Sequence, residues 1–414
     1  MLSAGPVTEP ARSTAEAVAR RGYGKLVALL AARTRDVAAA EDALSEAFAL
    51  ALARWPLDGC PSNPEAWLFT VARRKALDLA RKRGRDAAAS AHLRIFSEGL
   101  SAGVDDAPIP DRRLALLFTC AHPAIDAGVR APLMLQVVLG LDAKTIAAAF
   151  LTSAEAMGKR LVRAKEKIRR AGIPFRVPAR EELPGRLDAV LDAVYAAFAE
   201  GWSDASGTDV ARRDLTGEAL FLARLAAKLL PSEGEALGLL ALMLHAEARR
   251  PARRDSAGEY VPFAEQDPGL WDWRMIAEAE ALLRAAGALG RPGRYQLEAA
   301  LQSAHVYRKR TGTANWPDVV RLYDALLALT GSPVVAINRA MAAAEAHGAE
   351  TALAALEQVA ADARLAEYQP YWAARAELLS RTGARAEARR AYDLAIGLER
   401  DPAVRRFLQR RQGD

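Results

Sequence analysis

Apolar residues recur along this chain at helical spacing, alanine and leucine dominate, and no strand-like alternation runs far. The pattern predicts an all-α protein. A first helical block covers about residues 15–83. A polar stretch with Gly and Pro, residues 84–110, reads as a linker with one short helix. A second block runs from Asp111 to Ala171, and Pro174 and Pro178 then punctuate the chain. Beyond them Leu187, Val190, Leu191, Val194, Tyr195 and Phe198 share one helical face. The segment EALGLLALML is apolar nearly all round, which predicts a buried central helix. Near the end, Trp372, Ala376, Leu379, Gly383, Ala388, Tyr392 and Ala395 follow the large–small–large spacing of a tetratricopeptide-like hairpin. Gly348 lies 35 residues before Gly383, and Ser332-Pro333 reads as the cap and first-turn proline of the helix leading into it.

Composition adds limits. With 51% hydrophobic and 26% charged residues, 414 residues can build several domains around real cores. Cys60 and Cys120 are the only cysteines and form no CxxC pair, so reduced thiols in a cytoplasm are expected. The strongest apolar run, Ala236 to Leu244, is about half of a membrane span, and the first residues hold no apolar signal core. No membrane association is expected.

The distribution of charge says more than its total of +6. Residues 73–83 carry +5 and residues 159–170 carry +6, leaving −5 on the rest. Two concentrated basic helices on a mildly acidic body suit a polyanion partner. The second cluster sits in a specific frame. Lys144 to Phe150 reads as a short helix, Leu151-Thr152-Ser153 as a tight turn, and Ala154 to Arg170 as a longer helix. That is helix-turn-helix spacing, in which the second helix enters the major groove. Met157, Leu161 and Ile168 would face the core, while Lys159, Arg160, Arg163 and Lys165 would face DNA as phosphate and guanine contacts. Gly158 interrupts this helix, and close backbone approach is the one sequence-level reason for it.

The segment Asn63 to Arg83 (NPEAWLFTVARRKALDLARKR) resembles the promoter −10 reading helix of extracytoplasmic-function sigma factors, through Trp67, Leu68, Ala72, Arg73, Asp78 and Arg81. Arg74 stands where that family usually has Asn. Val37 to Leu52 resembles the family's polymerase core-binding helix at Glu41, Asp42, Glu46 and Phe48, with Ser45 in place of a common Gln. Residues 111–178 resemble its −35 reading module. The segments GLLALMLHAEARRPARRD, EQDPGLWDW, RPGRYQLEAAL and SPVVAINRAM resemble the extension of the subfamily that ends in a tetratricopeptide-like domain.

The resemblance implies two small helical modules, region 2 at 1–85 and the helix-turn-helix region 4 at 113–174. A linker at 86–112 would join them, and a larger tetratricopeptide-like regulatory domain would fill 175–414. Core RNA polymerase and promoter DNA are the implied partners, with a protein or peptide partner at the C-terminal domain. The −10 contacts would be Trp67, Phe69, Arg73, Arg74, Lys75 and Arg81; the polymerase contacts would be Glu41, Asp42, Glu46 and Phe48. Extruding a promoter base costs a few kcal/mol, which aromatic stacking and backbone-tracking cations offset. Trp67 read from its own surroundings is equally a core tryptophan.

No cofactor, metal or catalytic centre is expected. Gly99 to Gly103 satisfies GxSxG but lacks a preceding strand. The five histidines, His92, His122, His245, His305 and His347, are scattered. Two other readings stay open. A stand-alone helix-turn-helix regulator would leave residues 37–83 without a job, and an enzyme or scaffold on the C-terminal helices would need a polar constellation there.

Overall fold

The structure, a computed structural model, describes residues 9–82, 112–149, 152–179, 181–202 and 210–413. The linker at 84–110, the Gly99–Gly103 motif, His92, Phe150 and Leu151 lie outside these residues. The described residues are helical with no strands, and they fall into two compact units, 9–202 with 210–225 and 226–413.

The first unit opens with three helices, α1 (Glu9–Thr34), α2 (Val37–Asp58) and α3 (Pro64–Lys82). The buried Asp36 side chain accepts from the Ala39 amide at 3.0 Å and starts α2. Asn63 does the same for α3 by accepting from the Ala66 amide at 3.1 Å, which is why NPEAW opens a helix. Leu26, Leu30, Leu44, Ala47, Trp55, Leu68 and Ala72 fill the space between the three. Four helices follow, α4 (Arg113–Cys120), α5 (Ala127–Leu139), α6 (Ala143–Ala149) and α7 (Ala154–Ala171). Ser153 caps α7 by accepting from the Ala156 amide, and Gly172, at φ 60°, ends it. Met157, Leu161, Ala164 and Ile168 form the buried stripe of α7.

Two differences from the sequence reading follow from packing. Helix α8 (Pro184–Trp202) lies against α5 and α4, with Leu187, Val190, Leu191, Val194 and Phe198 buried. Arg113 on α4 also pairs with Glu218 of α9 (Val210–Leu229), its guanidinium 4.4 Å from the Phe221 ring. The first unit therefore runs past the boundary expected at 174/175. The second difference is Gly158, where an added Cβ would meet nothing within 4 Å. Close backbone approach does not explain it. That approach occurs at Gly24, whose Cβ would fall 1.7 Å from the Val138 carbonyl oxygen, where α1 presses on α5.

The second unit is built on α10 (Gly234–Ala248), buried from Ala236 through His245 between α11 (Trp273–Ala288) and α12 (Arg294–Thr311). The Glu235 carboxylate accepts from the Tyr295 amide at 2.9 Å and the Gln296 amide at 3.2 Å. It supplies from α10 the N-terminal cap that Gly293 cannot offer α12. Further helices stack as neighbours: α13 (Trp316–Thr330), α14 (Pro333–His347), α15 (Ala349–Glu357), α16 (Gln369–Arg381), α17 (Arg385–Leu398) and α18 (Pro402–Gly413). Gly348 (φ 93°) and Gly383 (φ 81°) take left-handed turns between α14 and α15 and between α16 and α17. Ala376, Leu379, Ala388, Tyr392 and Ala395 share one core with Trp372 packed on it. Ser332 stands at the N-cap of α14 without a side-chain bond.

Gly24 and Gly158 should respond oppositely to alanine. Gly24→Ala is expected to lower stability by about 1–3 kcal/mol or more through overpacking. Gly158→Ala should raise it by about 0.4–1 kcal/mol, since its helical backbone already suits alanine. Thermal unfolding of both variants checks the pair.

Candidate nucleic-acid interface

Helix α3 distributes the −10 candidates over distinct environments. Trp67 is half-buried and meets Trp55 edge-on, ring centroids 5.5 Å apart. Phe69 is buried, with the Arg33 guanidinium 5.3 Å from its ring centroid. Phe69, expected to stack on a base, is here a core contact with a cation over its face. Arg74 is exposed, and Arg73 is partly buried. Burial, then Arg33 and Arg74, push the Arg73 guanidinium below its ordinary range. Arg33, at the end of α1, belongs to no motif, yet it joins Arg73 and Arg74 in one cationic patch. The Lys75 ammonium lies 3.0 Å from Glu46, both side chains about half exposed. Arg81 lies on α3, and its side chain lies outside the described placement.

The cations of α7 also divide. Lys159 and Glu155 pair at 2.6 Å across one turn of the helix. Arg169 and Arg170 both bond Glu166, which holds its carboxyl down to about 2. Arg160 and Arg163 are exposed and line a concavity of about 410 Å³ with Lys167, beside the start of α5 at Asp126 and Gly128. Lys167 is absent from the contacts expected from the sequence. Its place four residues after Arg163 is the signal that finds it. These three cations converge with no acidic ion-pair partner among the described residues, which suits a phosphate-bearing surface.

Lys165 departs from the sequence reading. Its ammonium lies 2.7 Å from Glu41 of α2, and each side chain keeps only 13% of its exposure. In this arrangement Lys165, expected to face DNA, and Glu41, expected to face polymerase, face each other. Burial pushes the Glu41 carboxyl up while Lys165 pulls it down and Asp42 raises it again. The Cys120 thiol, wholly buried, is pushed up by burial and by Glu41. Asp42 is exposed and Phe48 half-buried on the same helix. Among the described residues, no group of three His, Cys, Asp or Glu side chains could hold a metal, and no helix is long and apolar enough to cross a membrane.

Residues 18–86, covering most of the α1–α3 bundle, match the family described as Sigma-70 region 2. Residues 186–287 match a family of unknown function (DUF6596). An uncharacterized protein of Rhizobium meliloti (strain 1021) is 38% identical over 380 residues, 91% of this chain and 89% of that protein. No solved structure matches.

The Glu41–Lys165 pair should behave as a mutually dependent unit. Glu41→Gln and Lys165→Met are each expected to lower stability by about 1–3 kcal/mol, because each leaves a desolvated charge without its partner. The double variant should lose less than the sum. Urea unfolding of the four proteins measures the coupling, and strict additivity would contradict it.

Proposed function

The chain belongs to the family of the Rhizobium meliloti protein and carries a Sigma-70 region 2 domain, and on that premise we propose that it is a sigma factor of the extracytoplasmic-function type, binding core RNA polymerase and directing promoter-specific initiation. The carrying observation is the coincidence of that domain with the α1–α3 bundle, whose last helix presents Arg73, Arg74 and Lys75 beside Trp67.

In this reading α3 opens the −10 element. Arg74, Lys75 and Arg81 track the single strand. Trp67, half-buried, is the aromatic of the −10 set that meets an extruded base. Phe69 serves by positioning Arg33. The −35 element is gripped by α7 through Arg160, Arg163 and Lys167, with Lys159 at the rim. Core polymerase takes α2, first through Asp42 and Phe48. Glu41 and Glu46 become available to it when Lys165 and Lys75 release them. The −35 helix and the polymerase helix therefore compete for Glu41. The C-terminal unit modulates these steps in cis as a tetratricopeptide-like regulatory domain with its own ligand or protein partner.

Run-off transcription with purified bacterial core polymerase tests the reading. The protein should confer start-site-specific transcripts. Arg163→Ala should weaken promoter binding by holoenzyme and make the slope of log affinity against log salt shallower by about 0.9, the share of one neutralised phosphate. No transcript above core alone would contradict the reading in favour of a stand-alone helix-turn-helix regulator.

Cis modulation has its own test. Deleting residues 230–414, after the end of α9, should change the yield of promoter-dependent transcript. An unchanged yield in the same assay would remove the regulatory role.

A further inference from the structure

The second unit holds a groove of about 860 Å³ over α12, α13 and α14, and no part of the promoter reading uses it. Its wall carries Arg249, Arg308 and Lys309, and Glu345 is its one acidic side chain. The Glu345 carboxylate is already shared with Arg381 at 2.5 Å. Positive charge is thus in excess inside the groove.

Both guanidiniums are built into place. Arg249 donates to the His245 carbonyl at 3.1 Å and to the Gln302 side chain, and stands 4.8 Å from the Phe263 ring centroid. Arg308 lies 3.8 Å from the Trp316 centroid, donates to the Asn315 side chain at 3.2 Å, and meets His305 Nδ1 at 3.0 Å. Burial and the two arginines hold His305 down to about 4, so it accepts from Arg308 as a neutral ring and adds no charge at neutral pH. Burial also lowers Arg249 to about 10, which leaves it charged. Desolvated, oriented cations with too few acids strongly favour an incoming anion.

The rest of the lining selects the body of that ligand. Phe263, Trp316, Tyr323 and Met341 give it apolar and aromatic surface, while Gln302 and Asn338 offer amides. The volume is that of a small-molecule site, far above what a lone inorganic ion fills.

We propose that this groove is a binding site for a small organic anion, a carboxylate or phosphate carried on a flat apolar body, with Arg249, Arg308 and Lys309 taking the charge. The site is independent of the promoter reading and is read out without polymerase.

Calorimetry on the full chain tests it, with 2-naphthoate and phenyl phosphate as anionic probes and 2-naphthamide as the uncharged isostere. At least one anion should bind one-to-one with a Kd of about 1 mM or tighter, and the amide at least tenfold more weakly. Arg308→Gln should cost the anion tenfold or more, and Lys309→Gln, at a half-exposed position, should cost it at least threefold. Whichever anion binds tells carboxylate from phosphate recognition. Equal binding of the amide, wild-type affinity in the folded Lys309→Gln and Arg308→Gln proteins, or no anion binding while an acidic hexapeptide binds would each overturn the proposal. So would the absence of any binding by either anion.

Discussion

The first unit turns on one nearly buried ion pair, Glu41 with Lys165, which joins α2 to α7. Two opposite charges taken out of water recover the cost only while they remain together. The pair therefore ties the three-helix bundle to α7. In the proposed reading the acid on α2 would meet a basic protein surface and the base on α7 would meet DNA, and here each neutralises the other. Lys75 and Glu46 repeat the device at the surface, where solvent makes it weak.

Apolar close packing supports that register. α1 meets α5 backbone to backbone at Gly24 and Val138, an approach no larger residue permits. α8 also packs on α5 with five buried aliphatic and aromatic residues. The second unit uses the same means, with α10 approaching α12 where Gly238 faces the Gln296 backbone. In each case a glycine lets helices touch, and between α10 and α12 the Glu235 side chain meets the amides that open the second helix.

Much of this was legible in the sequence, because helices announce themselves by period. The stripe Met157, Leu161 and Ile168 and the face from Leu187 to Phe198 follow from spacing, and the buried stretch of α10 from its unbroken apolar run. Ser332, the one cap read from the sequence, does stand at the start of α14 but makes no side-chain bond there. What period does not carry is the partner on the other side of a contact. Phe69 looked like an exposed aromatic until α1 brought Arg33 across it. Lys165 looked like a DNA cation because Glu41 is 124 residues away in sequence. Arg33 and Lys167 were missed because one sits outside the motif and the other was counted as charge, not as position. The anion groove gathers residues from 249 to 345, and no local pattern predicts it.

The central claim is that the α1–α3 bundle is a polymerase-binding surface. Sizing by light scattering of the purified protein mixed with bacterial core RNA polymerase tests it most directly. The account predicts a one-to-one complex that dissociates when Asp42 and Phe48 are both replaced by alanine while the variant stays folded. Separate elution of the wild-type protein and core polymerase at micromolar concentrations of both (about −8 kcal/mol at a Kd of 1 μM) would contradict it.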